Sequence, residues 1–275
     1  MRWWDKDRAN INRYWFNIPA VLWSYQTLMP EYTQIVYISP DIKQHTLYNV
    51  LEMCVRHLGI IVEEIDVPYS KSEPIMWRHK PIFDLSNEVV LPRDLDSMPT
   101  SWDVKNSLFF DRSDYKMSTM KSHEHHVGMS MLGGLSGFKP SISKDSPSWN
   151  KSFDSYYSEF NDSREAVDQV SMTTNFIHNN DLGWLRNNFV EFSKKGSTTN
   201  FSARLVLDSD EDYNSFNVLD ENNIFEEIDP LSTWSGEPCD VRGKLLTSLL
   251  SKNEMGQSLL ADMIKDRMIK NFYKI

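Results

Sequence analysis

A chain of 275 residues with 40% hydrophobic and 12% aromatic side chains can bury a sizeable core, which excludes disorder as its resting state and fits one large domain or a domain with a helical appendage. Its formal net charge of −10 disfavours a protein whose main task is gripping a polyanion, because that affinity comes from Lys and Arg neutralising phosphates. The two cysteines, Cys54 and Cys239, stand far apart and outside any metal-ligand spacing, so they exclude a disulfide framework and predict ordinary buried thiols in a reducing compartment.

The first segment, Arg13 to Leu28, reads as a helix broken near its start by Pro19, and Gln34 to Ser39 reads as a buried strand. Lys43 to Leu58 carries apolar residues at helical spacing and stops at Gly59, after which Ile60 to Ile65 predicts a second strand. Glu88 to Leu91 predicts a third, and Gly137 to Phe153 reads as a loop. Asp162 gives a cap signal for a helix containing Asp168 and Gln169, and Asp181 to Phe192 predicts another helix. Two further helices, roughly Val241 to Leu250 and Glu254 to Phe272, close the sequence. Strands alternating with helices predict an α/β fold with a mostly parallel sheet and ligands at the carboxyl ends of its strands.

Charge is distributed unevenly. Leu205 to Asp240 holds eleven acidic residues and no Lys or Arg, whereas Val241 to Ile275 holds seven basic residues and three acidic ones. The Asp-x-Asp patterns at Asp208, Asp210 and Asp212 fall in that acidic stretch with no apolar run before them, and read as solvated loop. No run of about 18 apolar residues occurs, and the segment after Met1 lacks the apolar core of a signal peptide. A soluble, cytoplasmic protein with no membrane partner is expected.

The stretch Val89-Val90-Leu91-Pro92-Arg93-Asp94-Leu95-Asp96-Ser97 places two carboxylates directly after a short apolar run. Mn²⁺ or Mg²⁺ takes hard oxygen ligands, commonly only one or two carboxylates, and leaves positions for water and substrate phosphates. Asp94 and Asp96 are therefore candidate metal ligands. The same residues also fit a helix N-cap before a helix beginning near Pro99. Arg78 and Arg93 carry guanidinium groups suited to phosphate oxygens, with a surface ion pair as the alternative. In Ser122-His123-Glu124-His125-His126 only His123 and His126 have a spacing that lets two ligands meet on one helix face. Gly133, Gly134 and Gly137 suit either a close backbone approach to a ligand or a tight turn.

Taken in order, Trp77-Arg78, Arg93-Asp94-Leu95-Asp96-Ser97, the histidines, Leu132-Gly133-Gly134-Leu135-Ser136-Gly137 and Asp168-Gln169 resemble the nucleotide-sugar glycosyltransferases of the GT-A type, in a bacterial and phage-like group. The resemblance covers roughly residues 13 to 180. It implies a GT-A-like, Rossmann-like catalytic domain over 1–200, while residues 201–275, outside the resemblance, read from their charge and pattern as an acidic loop with C-terminal helices packed as an appendage on that domain. It further implies a metal-dependent enzyme that transfers a sugar from a UDP-type donor to an acceptor hydroxyl. Asp94 and Asp96 would hold the metal, with Asp94, Arg78, Arg93, Gly133 and Gly134 on the nucleotide sugar and Asp168 and His126 in catalytic roles. Related phage sequences suggest a hydroxymethylated pyrimidine in DNA as acceptor. A glycan or protein acceptor, and a degenerate fold serving as a binding or assembly module, are the alternatives. Lys121-Ser122 departs from the family's usual Arg-Asp, and too few residues precede Tyr14 for the family's first strand; Trp3, Trp4 and Tyr14 are candidates to stack on a base.

Overall fold

Gly59 ends the second helix as its position in the sequence predicts: its φ of +68° is left-handed, and its N–H closes on the carbonyl of Val55. The computed structural model describes residues 14–66, 73–122, 126, 130–145, 152–159, 167–194, 204–206, 210–231 and 244–266. The chain divides into two compact units, one comprising Met1–Val67, Asp94–Ser101 and Leu219–Ile275, the other Pro68–Arg93 and Trp102–Val218. Both mix helices with small sheets that contain parallel pairs, which makes this an α/β protein.

In the first unit α1 spans Ile18–Leu28. Pro19 sits in its first turn, where a missing N–H costs nothing, so it starts the helix instead of breaking it. β1 (Ile35–Ile38) leads through a 3-10 turn (Pro40–Gln44) into α2 (Tyr48–Leu58), and β2 (Ile61–Glu64) pairs parallel to β1 with Ile35 opposite Ile61. The buried face of α2 carries Val50, Leu51, Met53, Cys54 and Leu58, at helical spacing. Burial pushes the Cys54 thiol up to about 12, so it is the inert thiol the sequence predicts; Cys239 lies outside the described residues.

The second unit begins with a 3-10 segment, Glu73–Phe83. It continues through α3 (Ser101–Arg112, whose first residue belongs to the first unit), β3 (Met117–Lys121), β4 (Ser136–Phe138), α4 (Ile142–Asp145), α5 (Phe153–Glu159) and α6 (Val167–Met172). α6 widens into a π-helical turn over Thr173–His178, followed by α7 (Leu182–Asn188), β5 (Phe189–Ser193), β6 (Arg204–Val206) and α8 (Glu211–Ser215). The sheet order is β4-β3-β5-β6, with β4 antiparallel to β3 and the other pairs parallel. Back in the first unit, α9 (Phe225–Ile228), α10 (Lys244–Leu250) and α11 (Glu254–Lys265) complete the chain, α11 packing on α2 and α10 on α1.

Three sequence expectations need correction. The third strand predicted at Glu88–Leu91 is an extended segment in which Val90 alone pairs, through two bonds of 2.8 and 2.9 Å with Phe138. Pro92 has no N–H to extend the ladder. The helix predicted over Asp181–Phe192 ends at Asn188, because Phe189 to Ser193 form a central strand buried on both faces, which removes the alternation that marks a strand. The loop predicted from Gly137 holds β4 and α4. Gly137 faces Ser118 across the ladder, and a Cβ there would stand 2.7 Å from the Phe110 ring.

Buried Met76, Ile82, Met117, Phe138, Tyr156, Phe176 and Phe189 form one core of this unit. His79 lies fully buried in the unit, with Nδ1 3.0 Å from the Tyr156 hydroxyl and Nε2 meeting no partner among the described residues. Burial, reinforced by Arg78, pushes its pKa well below the usual value, so His79 is neutral when folded. An unfolded histidine takes up its proton near pH 6.5. Stability from this group is therefore complete above about pH 6.5 and drains as pH falls below it. Urea titrations between pH 7.5 and 5 are expected to give His79→Phe a shallower loss of stability than the wild-type chain, by up to about 1.4 kcal/mol per pH unit; equal slopes would show that His79 binds its proton alike in the folded and unfolded chain. Gly137→Ala is expected to destabilise the fold by about 1–3 kcal/mol through overpacking, read in the same titration.

Candidate functional site

The Asp pair lies in a stretch of only eight residues, Asp94–Ser101, that belongs with the first unit although the chain on either side belongs to the second. Leu95 and Asp96 form a turn; Asp96 is 4% exposed and Asp94 is half-buried. Ser97, Met98, Pro99 and Thr100 are buried behind them. The Asp94 carbonyl accepts the Ser97 N–H at 3.4 Å, and the Ser97 hydroxyl donates to Asp96 Oδ1 at the same length. Met98 anchors the stretch to α1, its sulfur 3.9 Å from the Ser24 hydroxyl.

A distant carboxylate takes part at the start of the helix that follows the Asp pair. Ser101, the first residue of α3, donates its N–H to Asp229 Oδ1 at 2.9 Å and its hydroxyl to Asp229 Oδ2. A carboxylate at a helix start satisfies an N–H with no intrahelical acceptor and meets the positive end of the helix dipole. The cap comes from a residue 128 positions later in the chain.

Arg93 is committed within the second unit. Nη1 donates to the carbonyls of Pro92 and Ser136 at 2.6 and 2.8 Å, and Nη2 donates to Ser107 Oγ at 2.6 Å and to Asp103 Oδ1 at 3.2 Å. With side-chain exposures of 12% and 2%, Arg93 and Asp103 form an interior pair and not a surface one. Arg93 thus ties the extended segment to β4 and α3. Arg78 sits half-buried in the 3-10 segment, its Nε donating to the Ile75 carbonyl at 2.8 Å. That segment packs against α6, the helix that carries Asp168; the Asp168 side chain is not among those described.

His126, Gly133 and Gly134 gather at the carboxyl end of β3. The Ser122 N–H donates to His126 Nδ1 at 3.3 Å, which places the proton of a neutral ring on Nε2. Gly133 and Gly134 form the tight turn between Leu132 and Leu135, folded back on β3 through the Leu132 N–H to Thr119 Oγ1 and the Met120 N–H to the Leu135 carbonyl. His123, Glu124 and His125 lie outside the described residues, as do Trp3 and Trp4.

Beside these residues lies a charged pair that the sequence did not single out as functional. Lys121, the last residue of β3, reaches Glu191 of β5 at 2.9 Å, and both side chains are fully buried. Burial drags the Lys121 ammonium down, while Glu191 holds it up. Ser193 ends β5 opposite Lys121, and Lys194 donates its N–H to the Lys121 carbonyl. Glu191 interrupts the apolar run Phe189–Phe192, and that interruption was the available signal.

Asp210, read as solvated loop, and Asp220, in the same acidic stretch, are both structural. Asp210 caps α8 through the Tyr213 N–H and pairs with Arg204 at 3.0 Å, and Asp220 accepts the N–H groups of Ile224 and Phe225 at the start of α9. Asp208 lies outside the described residues. Among the described residues no three His, Cys, Asp or Glu side chains cluster as metal ligands, and no helix is long and apolar enough to cross a membrane. No protein-family model matches the sequence, and comparison with curated proteins and with solved structures also returns no match.

Removing one member of a buried ion pair strands its partner's charge. Lys121→Met is expected to cost about 3–5 kcal/mol in urea unfolding, and Lys121→Met with Glu191→Leu to recover most of it. A double variant no more stable than the single one would mean that the pair contributes net stability.

Proposed function

We propose that the chain is a metal-dependent glycosyltransferase of the GT-A type that moves a sugar from a UDP-type nucleotide sugar to an acceptor hydroxyl. One observation carries the reading: Asp96, 4% exposed, and the half-buried Asp94 stand one residue apart in a turn backed by the buried Ser97, Met98, Pro99 and Thr100. Two carboxylates of this kind fit a hard cation, Mn²⁺ or Mg²⁺, which does not require a third protein ligand when phosphates and water complete its shell.

In the transfer, the acceptor oxygen forms a bond to the anomeric carbon while the bond from that carbon to the diphosphate oxygen breaks. The diphosphate leaves with the bonding electron pair, and the acceptor proton passes to a base. Bound metal would neutralise the charge growing on the leaving diphosphate. Asp94 and Asp96 would hold it. Asp168 is the base assigned by resemblance. His126, with its proton on Nε2, suits donation to a sugar or phosphate oxygen better than proton abstraction. The backbone of the turn at Gly133 and Gly134 would allow a sugar to approach closely. Arg93 is spent on Asp103, Ser107 and Ser136, so its part is architectural, and Arg78 is assigned to phosphate by resemblance. For the acceptor, resemblance favours a hydroxymethylated pyrimidine in DNA over a glycan or protein.

The test is the thermal midpoint with Mn²⁺ and a panel of nucleotide diphosphates and nucleotide sugars. Saturation at about 100 times the dissociation constant stabilises by about 2.7 kcal/mol, a shift of roughly 2–4 °C at this size. The shift is expected with one uridine nucleotide, only with metal, and lost in Asp96→Asn. The absence of any metal-dependent shift across the panel would reject the enzyme in favour of a binding module.

A further inference from the structure

We propose that Asp229, in the acidic C-terminal segment, is a positioning residue for the Asp94–Asp96 metal site; this rests on the metal reading above. The eight residues Asp94–Ser101 are the whole of what the first unit takes from the middle of the chain. Met98 near Ser24 ties them to α1 through a contact between a thioether and a hydroxyl, which is weak. A stronger tie is the pair of bonds by which Asp229 receives the N–H and the hydroxyl of Ser101. An ionised carboxylate engaging two donors of one residue is about twice as strong per bond as a neutral contact, and it fixes direction as well as distance.

Asp229 is itself held. It follows directly on α9, whose start is fixed by the Asp220 carboxylate receiving the N–H groups of Ile224 and Phe225 at 2.8 Å each. Within α9, Glu227 pairs with Lys252 at 2.8 Å and accepts the Ser248 hydroxyl at 3.0 Å, while Lys252 also donates to the Asn223 carbonyl at 3.1 Å. Lys252 and Ser248 belong to α10 and the turn after it. A continuous set of charge-assisted bonds therefore runs from α10 through α9 and Asp229 to the end of the segment that bears Asp94 and Asp96. The acidic stretch serves the metal site from behind, by holding the backbone that presents the ligands. Groups that orient metal ligands in this way typically change affinity 10–100-fold when removed.

The experiment combines Mn²⁺ titration, following free Mn²⁺ by electron paramagnetic resonance with and without UDP, with amide hydrogen exchange over Asp94–Ser101. In Asp229→Ala the Mn²⁺ dissociation constant is expected to rise 10–100-fold and exchange over Asp94–Ser101 to accelerate. Asp229→Asn keeps one acceptor for the Ser101 N–H and should fall between that variant and the wild type; it also serves if Asp229→Ala does not fold. Asp262→Ala cuts the pairing of Asp262 with Arg56 and His57 at 2.7 and 2.8 Å, elsewhere in the same unit, and should leave both readouts at wild-type values. Wild-type Mn²⁺ affinity and exchange in the Asp229 variants would overturn the proposal. If the wild-type chain binds no Mn²⁺ with or without UDP, the metal reading falls. The exchange data then still decide whether Asp229 holds the segment, since acceleration confined to it upholds the tie and unchanged exchange overturns it.

Discussion

One guanidinium organises the second unit. Arg93 reaches the Ser136 carbonyl at the start of β4 and, on α3, Ser107 and Asp103, so an extended stretch with a single ladder pairing is joined to both a strand and a helix. A rigid fork with five donors can make these bonds at once, which a lysine ammonium on its flexible stem cannot reproduce. The arrangement also determines which residues surround it. Asp103, Asn106, Ser107 and Phe110 share one buried helix face, and Phe110 requires a glycine opposite, at Gly137. Asn106 is fully buried on that face, with neither end of its amide partnered among the described residues.

Polar groups buried at the carboxyl ends of β3 and β5 have a different energetic sign from the rest of the core. Lys121 and Glu191 sacrifice hydration that apolar side chains of the same volume would not, and a protein keeps such a pair where uniqueness of structure or chemistry outweighs that loss. The same end of the sheet carries His126 and the turn at Gly133 and Gly134, each brought there by backbone bonds to β3 or its neighbour.

What could be read from the residues alone follows from which physical signal each element carries. α2 has a one-sided apolar stripe and a glycine stop, so both its existence and its end were legible. β1 and β2 were legible from their aliphatic and aromatic runs. β5 was not, because a strand covered on both faces loses the two-residue period and Asn187-Asn188 gives no clear stop to the helix before it. β3 reads Met-Ser-Thr-Met-Lys, a composition that gains its strand character only from the partners on either side. The Asp pair stood out by chemistry, whereas Asp229 could not, since its importance lies in a contact with a residue 128 positions away. Acidic residues that look alike in sequence thus divide into helix caps, ion-pair partners and candidate ligands only once the fold has brought donors to them.

The interleaved chain path bears on how the protein is made. The second unit is contained between Pro68 and Val218, whereas the first needs residues from Met1 to Val67 and again from Leu219 onward. A ribosome delivers the chain in order, and domains generally fold as they emerge. α1, buried along most of its length, and the apolar stripe of α2 must therefore wait through the synthesis of the entire second unit before α10 and α11 arrive to pack on them. During that interval Trp23, Leu22, Leu51 and their neighbours on the nascent chain lack the covering that α10 and α11 later supply, and exposed apolar surface of this kind is prone to aggregation.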